Sequence, residues 1–435
     1  MICYNQLEFK KDGVDCLLEF GLLLILIAAL LSICYTIRIK DIFNPILLFI
    51  LPLSLQYIIY YFVYRNIYFV SDGTIIIYFV GMISFVVGYT GFYILPKKKF
   101  VLQGKENIET KYRVKTNRLF VTLSLLLGII SIFLTKNYLN TINNSVSYYS
   151  KNSLNLREAF IDNAQDAPFY VIYGKYFLLF SVLVYWYDFV NKKSKINKWL
   201  MFAMLGLLFY NSFNVFSRTD LLVTIVPVVV IYFQSIKLPK FSAKTKKNFI
   251  KFTALFVVLV GMFSFMTKQR NVVESVGFFD HRNVTMQYLG RPLPAFEQWA
   301  YDKPGLDNSF YTIEPVGKIL TVLGGDKFAQ TRLAPRGQFN VYTYLRVPYM
   351  EQGVLGVIVI MIIIGLLCHF LFYKYKIGEK YWVIFYAVYA YAIIMSFFAW
   401  QFGAMTYFYL ALFLLATASI DTVFLTKNKN YKKKK

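Results

Sequence analysis

The sequence predicts an all-α, polytopic integral membrane protein with about 11 transmembrane helices and one large external loop that contains short helices. Two observations indicate this fold class. Of the 435 residues, 57% are apolar and only 16% are charged, and the apolar residues gather in runs that approach the roughly 20 residues needed to cross a bilayer. Together with a mean hydropathy of +0.50, this composition excludes a water-soluble protein, a fibre and a disordered chain.

Eleven apolar runs are the candidate helices. The first run is too long for the core of a signal peptide and has no small-x-small cleavage site, so we predict that it is a retained anchor. The runs cover residues 17–37, 42–64, 74–95, 119–135, 169–190, 199–216, 221–236, 252–267, 350–373, 381–400 and 405–426.

The linkers between these runs predict the orientation. Alternate linkers hold 29 of the 47 Lys and Arg residues, and the positive-inside rule assigns them to the cytoplasm. The N-terminus is then outside and the C-terminus inside. The net charge of +24 is therefore interpreted as topology, with the lipid bilayer as partner and no nucleic acid. The basic linkers are 37–41, 96–118, 191–198, 237–251, 374–380 and 427–435.

Two external loops follow from this topology, within a single polytopic membrane domain that covers 1–435. The smaller loop is 136–168 and the larger is 268–349, which is 82 residues long. The larger loop is rich in proline and contains a helix-like stretch from Glu314 to Leu323. We therefore expect short helices that lie on the membrane face.

Arginine is distributed unevenly across the predicted membrane. Only Arg38, Arg113 and Arg118 of the twelve arginines are cytoplasmic, and the positive-inside rule does not explain a choice between arginine and lysine. A guanidinium is a planar fork that binds phosphate or carboxylate bidentately. An arginine-rich outer face therefore predicts an anionic substrate at the outer membrane surface. The external arginines are Arg65, Arg157, Arg218, Arg270, Arg282, Arg291, Arg332, Arg336 and Arg346.

The tightest polar feature is Ser217-Arg218-Thr219-Asp220, a break between two apolar runs. An arginine at the bilayer centre costs about 2.5–3.5 kcal/mol on insertion scales, so it faces a cavity or extends its charge to the interface. Two interpretations stay open. Either Arg218 lines an outward-facing cavity, or the segment is a hairpin tip in which Arg218 pairs with Asp220.

A second group lies in the large loop, where Asp280-His281-Arg282 precedes Arg291 and Glu297. His281 is either a general base or a surface residue. Glu297 is either functional or a structural partner of Arg291.

A third group, Arg332, Arg336 and Arg346, precedes the ninth apolar run. It is either an anion site or a basic interfacial anchor with an aromatic belt. Lys175, inside the fifth run, is a functional candidate because ionisable groups are rare in membrane spans. Alternatively, it extends outward along Tyr170 and Tyr173.

No cofactor is predicted from the sequence. It contains no Walker loop, no Rossmann glycine pattern, no GxSxG and no HExxH, which removes the usual signs of nucleotide binding and hydrolysis. Four cysteines and two histidines show no spacing typical of metal ligands, so the metal prediction is none.

Several segments resemble the Wzy family, the oligosaccharide repeat-unit polymerases of bacterial O-antigen and capsule. They are Ser217-Arg218, Asn340-Val341-Tyr342-Thr343 and Glu351-Gln352-Gly353-Val354-Leu355-Gly356, within a match that covers roughly 206–366 and includes Tyr288-Leu289-Gly290 and 310–325. Family members often have Asp-Phe-Gly where this chain has Glu351-Gln352-Gly353, a departure that keeps the acidic side chain.

The resemblance implies a metal- and nucleotide-independent glycosyltransferase in the bacterial inner membrane. It would transfer a glycan from undecaprenyl pyrophosphate to the terminal sugar hydroxyl of a new lipid-linked repeat unit, with a polysaccharide co-polymerase as a further partner. On this interpretation, pyrophosphate is bound by Arg218, Arg282, Arg291, Arg336 and Arg346. The general base is Glu297, His281 or Asp220, in that order.

Two other functions remain as alternatives. A flippase or transporter for lipid-linked oligosaccharides is also polytopic, although such carriers usually show paired halves, which this sequence lacks. An O-antigen ligase would use the same donor and a different acceptor. A structural scaffold would not explain the external arginines.

Overall fold

The computed structural model of the chain describes residues 14–39, 41–91, 118–142, 168–192, 196–214, 218–236, 280–302, 312–322 and 342–432. Within these ranges the regular secondary structure is helical and there is no strand. The predicted all-α class is confirmed for this part of the chain. The helices are α1 (Val14–Ile39), α2 (Pro45–Ile59), α3 (Asp72–Gly91), α4 (Arg118–Ile142), α5 (Phe169–Val190), α6 (Lys198–Asn214), α7 (Arg218–Ile236), α8 (Val284–Gly290), α9 (Pro292–Asp302), α10 (Glu314–Val322), α11 (Arg346–Ile377), α12 (Lys380–Ile394) and α13 (Met405–Lys432).

The described part of the chain is helical, and its long apolar helices are those of a polytopic membrane protein. Six described stretches are long and apolar enough to cross a bilayer, and two shorter helical stretches, Thr219–Ser235 and Met405–Ala418, are also apolar. The count of 11 spans and the orientation of the termini stay predictions, and the run 252–267 lies outside the described residues. The six are Leu17–Ile39, Pro45–Tyr64, Asp72–Gly91, Leu119–Thr141, Arg346–Ile377 and Lys380–Phe397.

The second helix begins later than its apolar run because residues 41–44 form a capping turn. The Asn44 side-chain oxygen accepts a hydrogen bond of 3.0 Å from the Leu47 amide, and Pro45 occupies the first helical turn, where its missing N–H costs nothing. The Asn44 amide nitrogen donates to the Thr36 hydroxyl of α1 at 2.6 Å. At its other end, α2 widens into a π-helical turn, Tyr60–Tyr64.

The chain divides into two compact units that are interleaved in sequence, and the single membrane domain stays a prediction. The first unit comprises Met1–Leu95, Ser275–Phe370 and Ala392–Ala404. The second comprises Pro96–Glu274, Leu371–Tyr391 and Met405–Lys435. Each unit is described by itself.

In the first unit, α3 and α11 cross with their backbones in contact. A Cβ atom at Gly88 would lie 2.1 Å from the Ile362 carbonyl oxygen, and one at Gly365 would lie 2.3 Å from the Phe85 carbonyl oxygen. Small residues permit this close approach in a membrane, where packing rather than water exclusion holds helices together. Phe85 also stacks on Phe49 of α2, with ring centroids 4.0 Å apart.

In the second unit, α5 is the central helix. It packs on α4 at Gly128, where a Cβ atom would lie 2.5 Å from the Leu178 amide nitrogen. The Trp186 indole N–H of α5 donates to the Val228 carbonyl of α7 at 2.9 Å. Asp188, near the end of α5, binds Lys380 of α12 in an ion pair of 2.9 Å.

The α11 helix is interrupted near its start, whereas the sequence predicts an unbroken ninth span from residue 350. Gln352 (φ −142°, ψ 19°) and Gly353 (φ 61°, ψ −147°) are non-helical. Such a positive φ with extended ψ is available almost only to glycine. A Cβ atom at Gly356 would lie 2.4 Å from the Pro348 carbonyl oxygen. The backbone therefore requires glycine at both glycine positions of the Glu351 to Gly356 segment.

Candidate functional site

The first unit places Arg291 at the junction of two short helices, α8 and α9. The junction packs on the π-helical turn of α2 because α8 ends in glycine: a Cβ atom at Gly290 would lie 2.6 Å from the Tyr64 ring. The Tyr64 hydroxyl donates to the His281 carbonyl at 2.9 Å, which fixes the start of the same segment. The loop 268–349 thus contains short helices, as the sequence predicts.

The Arg291 guanidinium lies over two tyrosine rings. Its central carbon is 5.8 Å from the Tyr64 centroid and 5.6 Å from the Tyr68 centroid, within the range of cation–π attraction. Its Nε atom is buried and has no hydrogen-bond partner among the described residues. A buried N–H without an acceptor costs about 1–3 kcal/mol, and more when the group is charged. This atom is therefore an unsatisfied donor among the described residues.

Arg346 is held in a similar way at the start of α11. Its guanidinium carbon is 3.9 Å from the centroid of Tyr342 and 5.4 Å from that of Trp299, and only 7% of the residue is exposed. Its segment is joined to the start of α9 by a hydrogen bond of 3.4 Å from the Thr343 amide to the Pro292 carbonyl. We call these side chains the arginine–aromatic cluster: Arg291, Arg346, Tyr64, Tyr68, Tyr342 and Trp299.

Tyr344 anchors the segment that carries Arg346. Its amide donates to the Ser396 carbonyl at 2.9 Å, and its hydroxyl donates to the Tyr78 carbonyl of α3 at 2.8 Å. Burial raises the pKa of the Tyr344 hydroxyl well above its usual value, so this hydroxyl stays protonated as a donor. The position of Arg346 is therefore fixed by the membrane helices and not by the loop alone.

Arg282 has a carboxylate on its donor edge. Nε and Nη2 donate to the two carboxylate oxygens of Asp280 at 3.1 and 3.0 Å, and its backbone amide donates to the same carboxylate at 2.8 Å. These bonds lower the pKa of Asp280 to about 2. An anion would have to displace Asp280 before Arg282 could bind it bidentately.

The two base candidates of the first unit have different surroundings. His281 is exposed, and its Nδ1 lies 3.5 Å from Asp280 Oδ1. Glu297 is half-buried, and its Oε2 accepts hydrogen bonds from the Ser71 amide at 3.1 Å and the Ser71 hydroxyl at 2.8 Å. Because Ser71 immediately precedes α3, Glu297 ties α9 to the start of that helix. Glu297 thus accepts hydrogen bonds from Ser71, whereas the sequence left open a structural pairing with Arg291.

Asp220 belongs to the second unit, where its carboxylate binds the Lys175 ammonium at 2.9 Å. This contact links α5 to α7 and gives the lysine of the fifth apolar run a carboxylate partner. The sequence left open whether Lys175 is functional or extends outward along Tyr170 and Tyr173. Arg218 is the first residue of α7, but its side chain lies outside the described residues, as does all of Arg336.

Glu351 is a structural residue that sequence reasoning passed over. Its carboxylate accepts from the Thr312 amide at 2.6 Å and from the Thr312 hydroxyl. The Trp400 indole N–H donates to the Thr312 carbonyl at 3.1 Å. These bonds fix the start of α10 to the turn of chain before Gly353. The available signal was an acidic side chain two residues before a helix-breaking glycine.

Within the described ranges, no three His, Cys, Asp or Glu residues form a group that could hold a metal ion, and the prediction of a metal-independent reaction stays a prediction. Comparisons with protein families, with characterised proteins and with solved structures give no match. Any functional conclusion therefore depends on the residues themselves.

Proposed function

We propose that the chain polymerises lipid-linked oligosaccharide repeat units at the outer leaflet of a bacterial inner membrane. The donor is a glycan on undecaprenyl pyrophosphate, and the acceptor is the terminal sugar hydroxyl of a new lipid-linked unit. The bond between the anomeric carbon and the pyrophosphate oxygen breaks, and a bond from that carbon to the acceptor oxygen forms. The acceptor proton passes to a base, and undecaprenyl pyrophosphate leaves.

The observation that carries this proposal is the arginine–aromatic cluster. A guanidinium that stacks its face on a ring keeps its in-plane N–H edge, which is the edge that binds two phosphate oxygens. The ring attracts the cation without neutralising it. The unpartnered, buried Nε of Arg291 is the donor that most directly requires an external acceptor.

The chemistry of such a donor matches what arginines supply. Negative charge grows on the pyrophosphate as the glycosidic bond breaks, and fixed cations stabilise that charge more in the transition state than in the ground state. The leaving group is already activated, which agrees with the lack of a nucleotide-binding motif in the sequence. Arg291 and Arg346 are the proposed pyrophosphate ligands, followed by Arg218, Arg282 and Arg336.

His281 is the proposed general base. It is exposed and next to the Asp280 carboxylate, which can orient a protonated imidazole. Glu297 Oε2 accepts hydrogen bonds from Ser71 and Asp220 Oδ1 binds Lys175, so each of these carboxylates already holds two helices together. This reverses the order that the sequence suggested for His281 and Glu297.

The test uses purified full-length protein in nanodiscs with synthetic lipid-linked repeat units and no added metal or nucleotide. We expect a ladder of polymers from the wild type and at least a tenfold slower ladder from Arg291→Gln. Arg65→Gln is the matched control, because Arg65 also lies over a tyrosine ring, 4.4 Å from the Tyr61 centroid, but is exposed. Folded wild-type protein that gives no ladder, or equal rates for the two variants, contradicts the proposal.

Gene disruption separates the alternatives in the cell. Loss of a polymerase leaves single repeat units attached to the acceptor, and loss of a ligase leaves none. Loss of a flippase strands lipid-linked units at the cytoplasmic face. Labelling of 268–349 from the cytoplasmic side would contradict all outer-leaflet interpretations of the arginines.

A further inference from the structure

The α10 helix of the large loop presents an exposed apolar stripe. Ile313, directly before the helix, is 48% exposed, and Val316 and Ile319 within it are 39% and 50% exposed. A spacing of three residues places these side chains along one side of a helix. Pro315 and Gly317, which lie between them in sequence, are buried. We call Ile313, Val316 and Ile319 the α10 stripe.

The start of α10 is fixed to the ends of two candidate membrane spans. The Thr312 amide donates to the Glu351 carboxylate near the start of α11 at 2.6 Å. The Trp400 indole N–H, just after the span that contains α12, donates to the Thr312 carbonyl at 3.1 Å. The Glu314 amide donates to the Gly403 carbonyl at 3.1 Å. Because α10 is held where apolar spans end, it lies at the level of a membrane–water interface.

Trp400 has the surroundings of an interfacial tryptophan. It is partly exposed, its ring packs on Phe402 with centroids 5.2 Å apart, and its N–H is hydrogen-bonded. Tryptophan is enriched at membrane–water interfaces because its ring is apolar and its N–H is polar. The residue that holds the start of α10 is therefore of a type that prefers this level of the bilayer.

The exposed apolar side of α11 ends beside α10. Leu355, Val359 and Ile363 are 71%, 49% and 55% exposed, and their spacing of four residues places them in one row along the helix. On a membrane span, an exposed apolar row of this kind faces lipid. Leu355 follows Glu351 by four residues, and Glu351 binds Thr312, which directly precedes the α10 stripe. Lipid that surrounds this end of α11 is therefore next to the stripe.

We infer that the α10 stripe inserts into the membrane–water interface and that α10 anchors the large loop to the bilayer. An amphipathic helix of this kind places its apolar face about 5–10 Å into the boundary between headgroups and acyl chains. The sequence predicts only that short helices of this loop lie on the membrane face, whereas the exposed residues identify the helix and the side that meets phospholipid. In the predicted topology this is the outer leaflet.

Photo-crosslinking to phospholipid tests this position. The full-length protein carries p-benzoylphenylalanine in place of Ile319 and is reconstituted in phospholipid vesicles. After irradiation, mass spectrometry measures the fraction of protein that carries one phospholipid. The same group in place of Val359 is the lipid-facing reference, and in place of Gln298, an exposed residue of α9 in the same loop, it is the control. We expect a yield at position 319 within about twofold of position 359 and at least about fivefold above position 298.

A matched pair of double variants tests the apolar contact itself. With the crosslinker at position 319, Ile313→Ser with Val316→Ser should lower the phospholipid yield by about two- to fivefold, because less apolar surface holds α10 in the interface. Ile67→Ser with Phe69→Ser is the control, since these residues are 45% and 61% exposed but precede α3. This control should keep the unsubstituted yield, and equal losses in the two double variants contradict the role of the stripe.

Three further outcomes would overturn the insertion of α10. They are no phospholipid adduct at position 319 while position 359 forms one, equal yields at positions 319 and 298, and crosslinks at 319 that join a second copy of the chain instead of lipid. If the serine variants fail to fold, the three crosslinker positions decide. Arg291→Gln should lose polymerisation and keep the adduct at 319, so failure of the proposed function and failure of the anchor are distinguishable.

Discussion

The two units stabilise their cations in different ways. In the first unit, Arg291 and Arg346 lie over aromatic rings. In the second unit, Lys175 and Lys380 each bind a carboxylate at 2.9 Å. A ring attracts a cation and leaves its charge available to an anion, whereas a carboxylate cancels it. The proposed function places its anion on the first unit, whereas the lysines of the second unit join helices through their carboxylate partners.

Arg282 shows that residue type alone does not decide the outcome. It lies in the same unit and the same loop as Arg291, yet its donor edge is bound to Asp280. A comparison of Arg282 with Arg291 therefore tests the effect of the group that contacts the arginine, because the residue type is the same. The expected effects below run from the largest to the smallest.

Arg346→Gln should lower the rate of polymerisation more than any other variant described here. Removal of one fixed donor that stabilises developing negative charge typically lowers a rate by roughly 100- to 1000-fold, and we expect a loss of that size in the rate of ladder formation. Arg346→Lys should recover only part of it, because lysine lacks the planar fork. A rate within threefold of wild type for Arg346→Gln, in folded protein, would remove Arg346 from the site.

Lys380→Met should destabilise the second unit, because it leaves the Asp188 carboxylate without the ammonium it binds. Breaking a buried ion pair by removing one partner costs about 3–5 kcal/mol, and partial exposure of this pair places the expected loss near the lower limit. Adding Asp188→Asn should restore most of the stability. The measurement is the unfolding midpoint of the full-length protein in nanodiscs. Equal midpoints for Lys380→Met and wild type would show that the ion pair of Lys380 with Asp188 does not stabilise the protein.

Gly353→Ala should weaken the first unit and leave the second unchanged. An alanine at φ 61° and ψ −147° is strained by roughly 1–3 kcal/mol. Because Arg346 lies on the turn just before this break, we also expect slower polymerisation. Gly206→Ala is the control, since a Cβ atom there meets nothing within 4 Å. Equal stability of the two variants would show that the break does not depend on glycine.

Arg282→Gln should have the smallest effect on polymerisation, less than threefold at neutral pH, because Asp280 already occupies its donor edge. The effect should appear in acid. The lowered pKa of Asp280, about 2 against an ordinary 3.8, contributes stability above pH 3.8 that is lost as pH falls towards 2. In the variant the folded-state pKa of Asp280 should lie closer to its ordinary value, so this part of the acid-dependent loss should become smaller. Thermal midpoints measured between pH 5 and pH 2 check this, and superimposable curves for variant and wild type would contradict it.

The sequence was sufficient to predict where helices lie. It was insufficient to predict which residues their polar side chains contact. Apolar runs predicted α1, α5 and α12 closely, because membrane insertion depends on local hydropathy. The contacts between Glu297 and Ser71, or Lys175 and Asp220, join residues 226 and 45 positions apart, and no local pattern encodes such pairs. The break at Gly353 was hidden because glycine also occurs inside membrane helices.

The same limit applies to the arginines. The sequence indicated an external, arginine-rich face, but Arg282 and Arg291 are indistinguishable until their neighbours are known. Asp280 is two residues from Arg282, so its role could have been proposed. Tyr64 and Tyr68 are more than 200 positions from Arg291, and only the packing of Gly290 on α2 brings these rings to it.

Gln56 makes a hydrogen bond that can form only late in synthesis of the chain. Its buried side chain donates at 2.6 Å to the Phe397 carbonyl, 341 residues later in the chain. At about 5–20 residues per second, a ribosome needs roughly 20 to 70 s to make that intervening length. During this interval the amide of an early helix has to rely on substitute partners in the bilayer. The first unit is thus completed only after residues 392–404 are made, although it contains helices that precede every helix of the second unit.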